Sequence, residues 1–581
     1  MSRRGMLAAA TVVTALTAAH ATGQISPSSW SMPPARPSAR QMFEHRAQRP
    51  YPVDAAAIPA AIGRALERPL TTAEGGGAHW RIEDAALVRV TPDPLRLDPA
   101  AGLPLAGLQA VAVADDGAVW AGGRGGVVRF TGRTHPWERW HVFAGRRYLP
   151  SDDVLALTAG QHGAMWVRTA AGVSHLRLVA VSLDDKAAQM EQRLRARHVR
   201  HGLVAESLLT VPGDLTSSHQ YPNDNDGLWT AIYAAAQSYR YAVTRSDEAR
   251  DRATAALAAL IRLQTITAHE GFPARSFRHR NEPRLGDGEW HWSADRQWEW
   301  KGDTSSDELV GHFYAFAIGY DLLPDGPIKA DIGGAVTRIA DHLIRHRYYL
   351  VDLDGQPTRW GRWGLDYFAT EEGQEEQALR ATELLSHMLV AAHVTGEPRF
   401  RAEYRRLIDE HRFHERMQTY LSNRLELNFS DEELAMLSFY PLFRYERDER
   451  LRDYFRRAMA QWWQNIQRED NPLWIYIYAQ ANPGAALPLD RAAHTLVRLP
   501  LDLITWSAHN GHRLDVPRAR ENDRHGRPET TRLLPPDERH VQKWNSNSFE
   551  LDGGRGGRGE DDGAAYLLPY WMGRYYGYIT D

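Results

Sequence analysis

The sequence predicts a mainly α protein, an (α/α) toroid preceded by a small β domain of propeller-type repeats. Three observations carry this expectation. A stretch of short alternating apolar runs repeats at fixed spacing before residue 180. Beyond residue 183 the apolar periodicity becomes helical and stays so. Four of those helices open on clustered acids and continue without a charged face.

The chain of 581 residues is long enough for more than one core. Its net charge of −4 is too small to drive binding to nucleic acid. It has no cysteine, which excludes disulfides and thiolate metal sites. Residues 1–23 read as a signal peptide. Arg3 and Arg4 form a basic start, Leu7 to Ala18 an apolar run, and Ala19-His20-Ala21 a cleavage site. Ser2 to Leu7 also has the form of a twin-arginine signal. The apolar run is too short for a membrane span, and a periplasmic or secreted protein is expected. Residues 24–77, rich in Pro, Ala and Arg, read as a linker with one short helix near 55–66.

Residues 78–180 form the expected β domain. Pro104, Gly117 and Trp120 recur as Pro150, Gly163 and Trp166, each 46 positions on. Alternating apolar runs broken by Asp-Gly or His-Gly are strand-turn-strand chemistry. A period of this size suggests propeller-type blades, and the pattern LPSDDVLAL resembles the two-component-regulator propeller repeat. Two visible copies are too few to close a ring. Residues 181–581 form the expected toroid, with helices over 183–198, 226–244, 248–266, 305–322, 328–347, 373–394, 398–412, 431–444, 448–467, 472–481, 488–508 and 562–576.

The acid-rich helices start at HQYPNDND, WKGDTSSD, LELNFSDEE and RGGRGEDDG. Uncharged on all sides beyond the first turn, they should form the inner ring. If they run parallel, their starts meet at one mouth. Ser305 and Ser306 are the expected caps of their helix. A cap needs one or two residues and contributes about 1 kcal/mol. Runs such as Asn223 to Asp226 and Glu560 to Asp562 exceed that need. Crowded acids repel unless cations or raised pKa values relieve them. Asp/Asn-rich loops also suit Ca2+, although no EF-hand spacing is present.

Arg359-Trp360-Gly361-Arg362-Trp363 interleaves two guanidinium forks with two rings, a pattern suited to a carboxylated sugar. Asn545 and Arg558 flank a Gly-rich loop that permits close ligand approach. His219, Tyr221, His312 and Tyr314 could transfer protons, and Glu308 shares a helix face with His312.

The stretches NDNDGLWTAIYAAAQSYRYAVT, WKGDTSSDELVGHFYAFAIGYDLL, LVDLDGQPTRWGRW, WNSNSFELDGGRGGRGEDDG and LLPYWMGRYY together resemble exported bacterial proteins that join propeller-type repeats to a helical toroid. More narrowly, they resemble polysaccharide lyases acting on uronic acids, the rhamnose–glucuronate lyases among them. That resemblance implies β-elimination on a uronate-containing polysaccharide. The chemistry requires groups that neutralise the carboxylate, for which Arg359 and Arg362 with Asn223 or Asn545 are candidates. It also requires a base, for which His219, Tyr221, His312 or Tyr314 is the candidate. On the same fold a glycoside hydrolase would pair Asp224 or Asp226 with Asp303 or Asp307. A non-catalytic glycan-binding protein is the third reading, and it leaves the acid-rich starts unexplained.

Overall fold

The computed structural model describes residues 33–47, 53–133, 135–284, 287–423 and 428–581. The leader expected over 1–23 lies outside them. Strand β1 (Met42–Ala47) is followed by three antiparallel groups in chain order. β2 (Thr72–Gly75), β3 (Ala78–Glu83), β4 (Ala86–Thr91) and β5 (Leu95–Leu97) form a four-stranded meander, and β6 (Leu108–Val113), β7 (Val119–Gly123), β8 (Gly126–Phe130) and β9 (Trp140–Phe143) form a second. β10 (Val154–Ala159), β11 (Met165–Thr169) and β12 (Gly172–Ser182) form a third, completed by β1 pairing along β12. The middle sheet packs on both others through β6.

The internal repeat is visible in the register. Ala112 pairs with Trp120, and 46 residues on Thr158 pairs with Trp166. Gly117 and Gly163 both take positive φ at the turn between these strands, a backbone region that favours glycine. The Asp115 carboxylate accepts the His162 and Gly163 amides at 2.7 and 2.6 Å, tying one turn to the other. Two features differ from expectation. The stretch read as a linker supplies strands β1 and β2, and a third meander occupies residues 72–97. β1 pairs with β12, about 140 positions on, which no local pattern shows, whereas β2 to β5 pair only with their neighbours in the chain.

Twelve long helices follow among the described residues. They are α1 (Leu183–Arg197), α2 (Asp226–Thr244), α3 (Asp247–Thr265), α4 (Ser306–Leu322), α5 (Pro327–Arg345), α6 (Glu371–Thr395), α7 (Pro398–Asp409), α8 (Phe429–Tyr445), α9 (Glu449–Ile466), α10 (Pro472–Ala481), α11 (Leu489–Arg498) and α12 (Ala564–Tyr575). The even-numbered helices pack α2 on α4, then α6, α8, α10, α12 and back on α2, which closes a ring of six. The odd-numbered helices lie outside, each against inner neighbours. Burial follows this division. In α4 every residue from Glu308 to Gly319 is buried, whereas α9 buries only Leu451, Phe455, Ala458, Met459, Trp462 and Ile466, one stripe at helical spacing. The stretch expected to be helical over 488–508 stops at Arg498, where Pro500 follows closely.

A buried ionic cluster joins the sheets to the ring. Glu138, beside β9, is 2.7 Å from His494 Nε2 and 2.7 Å from an Arg498 nitrogen, both on α11. Arg498 also reaches Asp537 at 2.8 Å, and Glu538 is met by Arg46 of β1 at 2.6 Å and by Arg513 at 2.7 Å.

Candidate active site

The starts of the inner helices converge at one end of the ring. Glu308, in the first turn of α4, accepts the Leu228 amide of α2 at 3.4 Å. Ser430 of α8 donates to Asp307 of α4 at 3.4 Å. Lys543 is 2.9 Å from Asp562, just before α12, and 4.0 Å from the ring centre of Trp229 on α2. Trp544 packs on Trp474 of α10. Side-chain capping is unequal around this mouth. Thr370, Asn428 and Asn471 cap α6, α8 and α10 through their side chains, but Asn225 and Ser305 make no such bond. Among the described residues the buried Ser305 hydroxyl has no partner, so its expected capping role is not fulfilled.

Above these starts lies a cleft of about 910 Å³. Its walls include Asn223, Asn225 and Trp229 from the start of α2, Asn428 and Phe429 from α8, Asp561 before α12, and Glu206. Glu206 opens β13 (Glu206–Leu209), which pairs with β14 (Ser218–Tyr221) on one side and a short strand at Gly559–Glu560 on the other. The wall continues through loop residues Gln542, Lys543, Asn545 and Asn547 and through a charged loop that includes Asp523, Arg524 and Arg527.

Two carboxyl groups in this wall are driven apart electrostatically. Burial opposes ionisation of Glu206, but Lys543, the Tyr221 hydroxyl and Arg555 outweigh it and hold the group below the usual range. Burial pushes Asp561 up to about 6, with Asp562 and Glu206 adding to the shift and Lys543 opposing it. Beneath them Glu433 of α8 is fully buried, and among the described residues neither carboxylate oxygen has a hydrogen-bond partner. Burial, Asp307 and Asp562 push it up to about 8. Glu308 is shifted well upward by burial, with Asp307 and Asp226 adding.

The structure sorts the candidate residues. Asn223 and Asn545 line the cleft. Tyr221 sits at its edge, donating its hydroxyl to Glu206. Asp224 and Asp303 lie on the α2–α4 side, where Arg275 bonds both backbone carbonyls at 3.4 and 2.6 Å. Asp224 pairs with Lys301, and Asp303 accepts the Arg359 amide at 2.8 Å. Asp307 faces Ser430 and Glu433.

Other candidates are elsewhere. Asp226 is buried against Arg200 and Ser276, a structural role. His312 is buried, with its ring nitrogens 2.6 and 3.2 Å from the Glu308 and Leu260 carbonyls, and Tyr314 is buried with no partner for its hydroxyl. Neither can reach a substrate. His219 is exposed on β14 outside the cleft walls. Arg359 stacks on Trp360 at 4.6 Å, Arg362 bonds the Thr358 carbonyl at 3.0 Å, and buried Trp363 donates to Glu383 at 2.7 Å. Arg558 is exposed and bonds the Thr210 carbonyl. None of these five lines the cleft.

Sequence reasoning missed Glu206, Lys543, Trp229 and Glu433. Glu206 lies on a short strand whose position depends on pairing with residues 559 and 560. Glu433 lies within an acid-rich start that was recognised, and only its burial singles it out.

No family model matches the chain, and no curated protein matches it. Among solved structures, a family 76 glycoside hydrolase from a bovine Bacteroides thetaiotaomicron strain aligns over 71% of this chain and 83% of its own, at 10% identity and a TM-score of 0.39.

Proposed function

We propose that the protein is an exported glycan-degrading enzyme that hydrolyses glycosidic bonds in this cleft. The observation that carries the reading is the Glu206–Asp561 pair, two acids in one polar cleft with environments that favour opposite protonation states. Such opposed pairs mark acid and base assignments. Asp561 would protonate the departing glycosidic oxygen. Glu206, ionised, would activate water or attack the anomeric carbon. Lys543 interacts with both acids and steadies the charge between them.

The wall chemistry supports a sugar ligand. Asn223, Asn225, Asn428, Asn522, Gln542, Asn545 and Asn547 place seven amide side chains around one cavity. Each amide both donates and accepts, which matches hydroxyl groups that do the same. Elimination is the weaker reading, because burial and hydrogen bonding to Glu206 raise the Tyr221 pKa and His312 is enclosed. The meander sheets fit a structural role, bolted to the ring through Glu138 and Arg498.

The test is to incubate purified protein with neutral and uronate-containing polysaccharides. New reducing ends without unsaturated-uronate absorbance are expected. Appearance of that absorbance would replace hydrolysis with elimination, and tight binding without turnover would make this a binding protein.

A further inference from the structure

A second cluster lies outside the cleft, where the hairpin before α4 meets the turn before α6. The hairpin strands are β16 (Trp290–Trp292) and β17 (Trp298–Lys301) of the sheet they form with β15 (Phe277–His279); the turn follows β18 (Tyr349–Val351). Glu289, His291 and Asp352 each offer one ligand atom, and these atoms all lie within 4.8 Å of one another. A zinc-class ion holds nitrogen and oxygen ligands at about 2.0–2.2 Å, which sets tetrahedral ligands roughly 3–4 Å apart. Small side-chain rotations close that difference.

Three further features point to a ligand there. Among the described residues, His291 Nε2 is buried without a hydrogen-bond partner. Position 302 is glycine, and a Cβ there would stand 2.8 Å from Asp352 Oδ2 and 3.0 Å from His291 Nε2, in the space between them. The ligands are also held from behind. Asp352 accepts the Asp303 and Leu353 amides at 2.8 and 2.7 Å, which leaves each oxygen a free lone pair, and the His291 ring packs on buried Trp300 at 4.5 Å. Lys301, which ends the same hairpin, is committed to Asp224 and Asp287.

We infer that Glu289, His291 and Asp352 bind one divalent transition ion of the zinc class, with a coordination position left for water. An imidazole with two carboxylates suits zinc better than calcium, which takes oxygen ligands. The ion would tie the β16–β17 hairpin to Asp352, and through the Asp303 amide to the turn that opens α4. The site stands apart from the glycan reading, and its test needs no substrate.

The experiment is calorimetric titration of chelator-treated full-length protein with Zn2+ and separately with Ca2+, with elemental analysis after dialysis. One zinc equivalent is expected, with a rise in unfolding temperature and much weaker calcium binding. His291→Phe keeps the packing on Trp300 but removes the nitrogen, and Glu289→Gln changes an exposed residue. Each should weaken zinc at least tenfold, and Gly302→Ala should abolish it. Stoichiometric zinc of unchanged affinity in His291→Phe and Glu289→Gln would overturn the site, as would calcium binding as tight as zinc.

Discussion

The junction and the mouth both bury carboxylates, and they treat them in opposite ways. At the junction Glu138 and Glu538 are enclosed by Arg46, Arg498, Arg513 and histidines, and these partners outweigh burial and hold both acids well below the usual range. At the mouth Glu433 has no hydrogen-bond partner, Asp561 shares Lys543 with Asp562 and Glu206, and burial moves both upward, to about 8 and about 6. Glu138 and Glu433 are equally buried, yet the one is held well below the usual range and the other is pushed above it. The difference lies in the supply of cations. A fully compensated cluster holds two parts together. An undercompensated one stores protons, which is what acid–base chemistry needs.

Substitutions can break this contrast, and the largest effect is expected at the junction. Arg498→Ala leaves Glu138 and Asp537 buried with fewer partners, and such a loss costs about 3–5 kcal/mol. Chemical denaturation should show that loss, and a variant as stable as wild type would remove the structural role. Next is Glu433→Gln. Between pH 4.5, the ordinary glutamate value, and about 8, the folded protein keeps a proton that the unfolded chain has released. Stability therefore falls as pH rises through that window, by about 1.4 kcal/mol per pH unit at full effect. The variant should lose this slope, so melting curves from pH 5 to 9 should diverge from wild type toward the alkaline end. Coincident curves would show that Glu433 is not protonated.

A third substitution acts on chemistry alone. Glu206→Gln should lower glycan turnover about 100-fold or more while leaving the unfolding temperature nearly unchanged. The smallest effect is expected from Arg359→Ala. This exposed residue stacks on its neighbour outside the cleft walls, and a surface change of this kind stays within about 0.5 kcal/mol. A large activity loss there would return the uronate subsite to the Arg359–Trp363 loop.

The ring was legible because its signals are local. Apolar periodicity marked α2, α4 and α8 within a few residues of their observed bounds, and the acid-rich starts do meet. The 46-residue repeat likewise placed β6 to β8 and β10 to β12. The site was less legible because proximity decides it. Glu206 is more than 300 residues from Asp561, and a strand pairing joins them. His312 sits in the right helix near the right end, yet its side chain turns toward Leu260 of α3. No spacing rule separates a residue that faces the cleft from one that faces the outer layer when both helix faces are apolar. The metal candidates were equally hidden, since Glu289, His291 and Asp352 are brought together by a hairpin and a distant turn.

The most direct measurement is the pH dependence of glycan hydrolysis by wild type and by Asp561→Asn. Wild-type turnover should fall as pH rises past about 6, where Asp561 gives up the proton it must donate. The variant should be slower by roughly 10²–10⁴-fold and lack that limb. An Asp561→Asn protein with wild-type turnover and an unchanged profile would contradict the account.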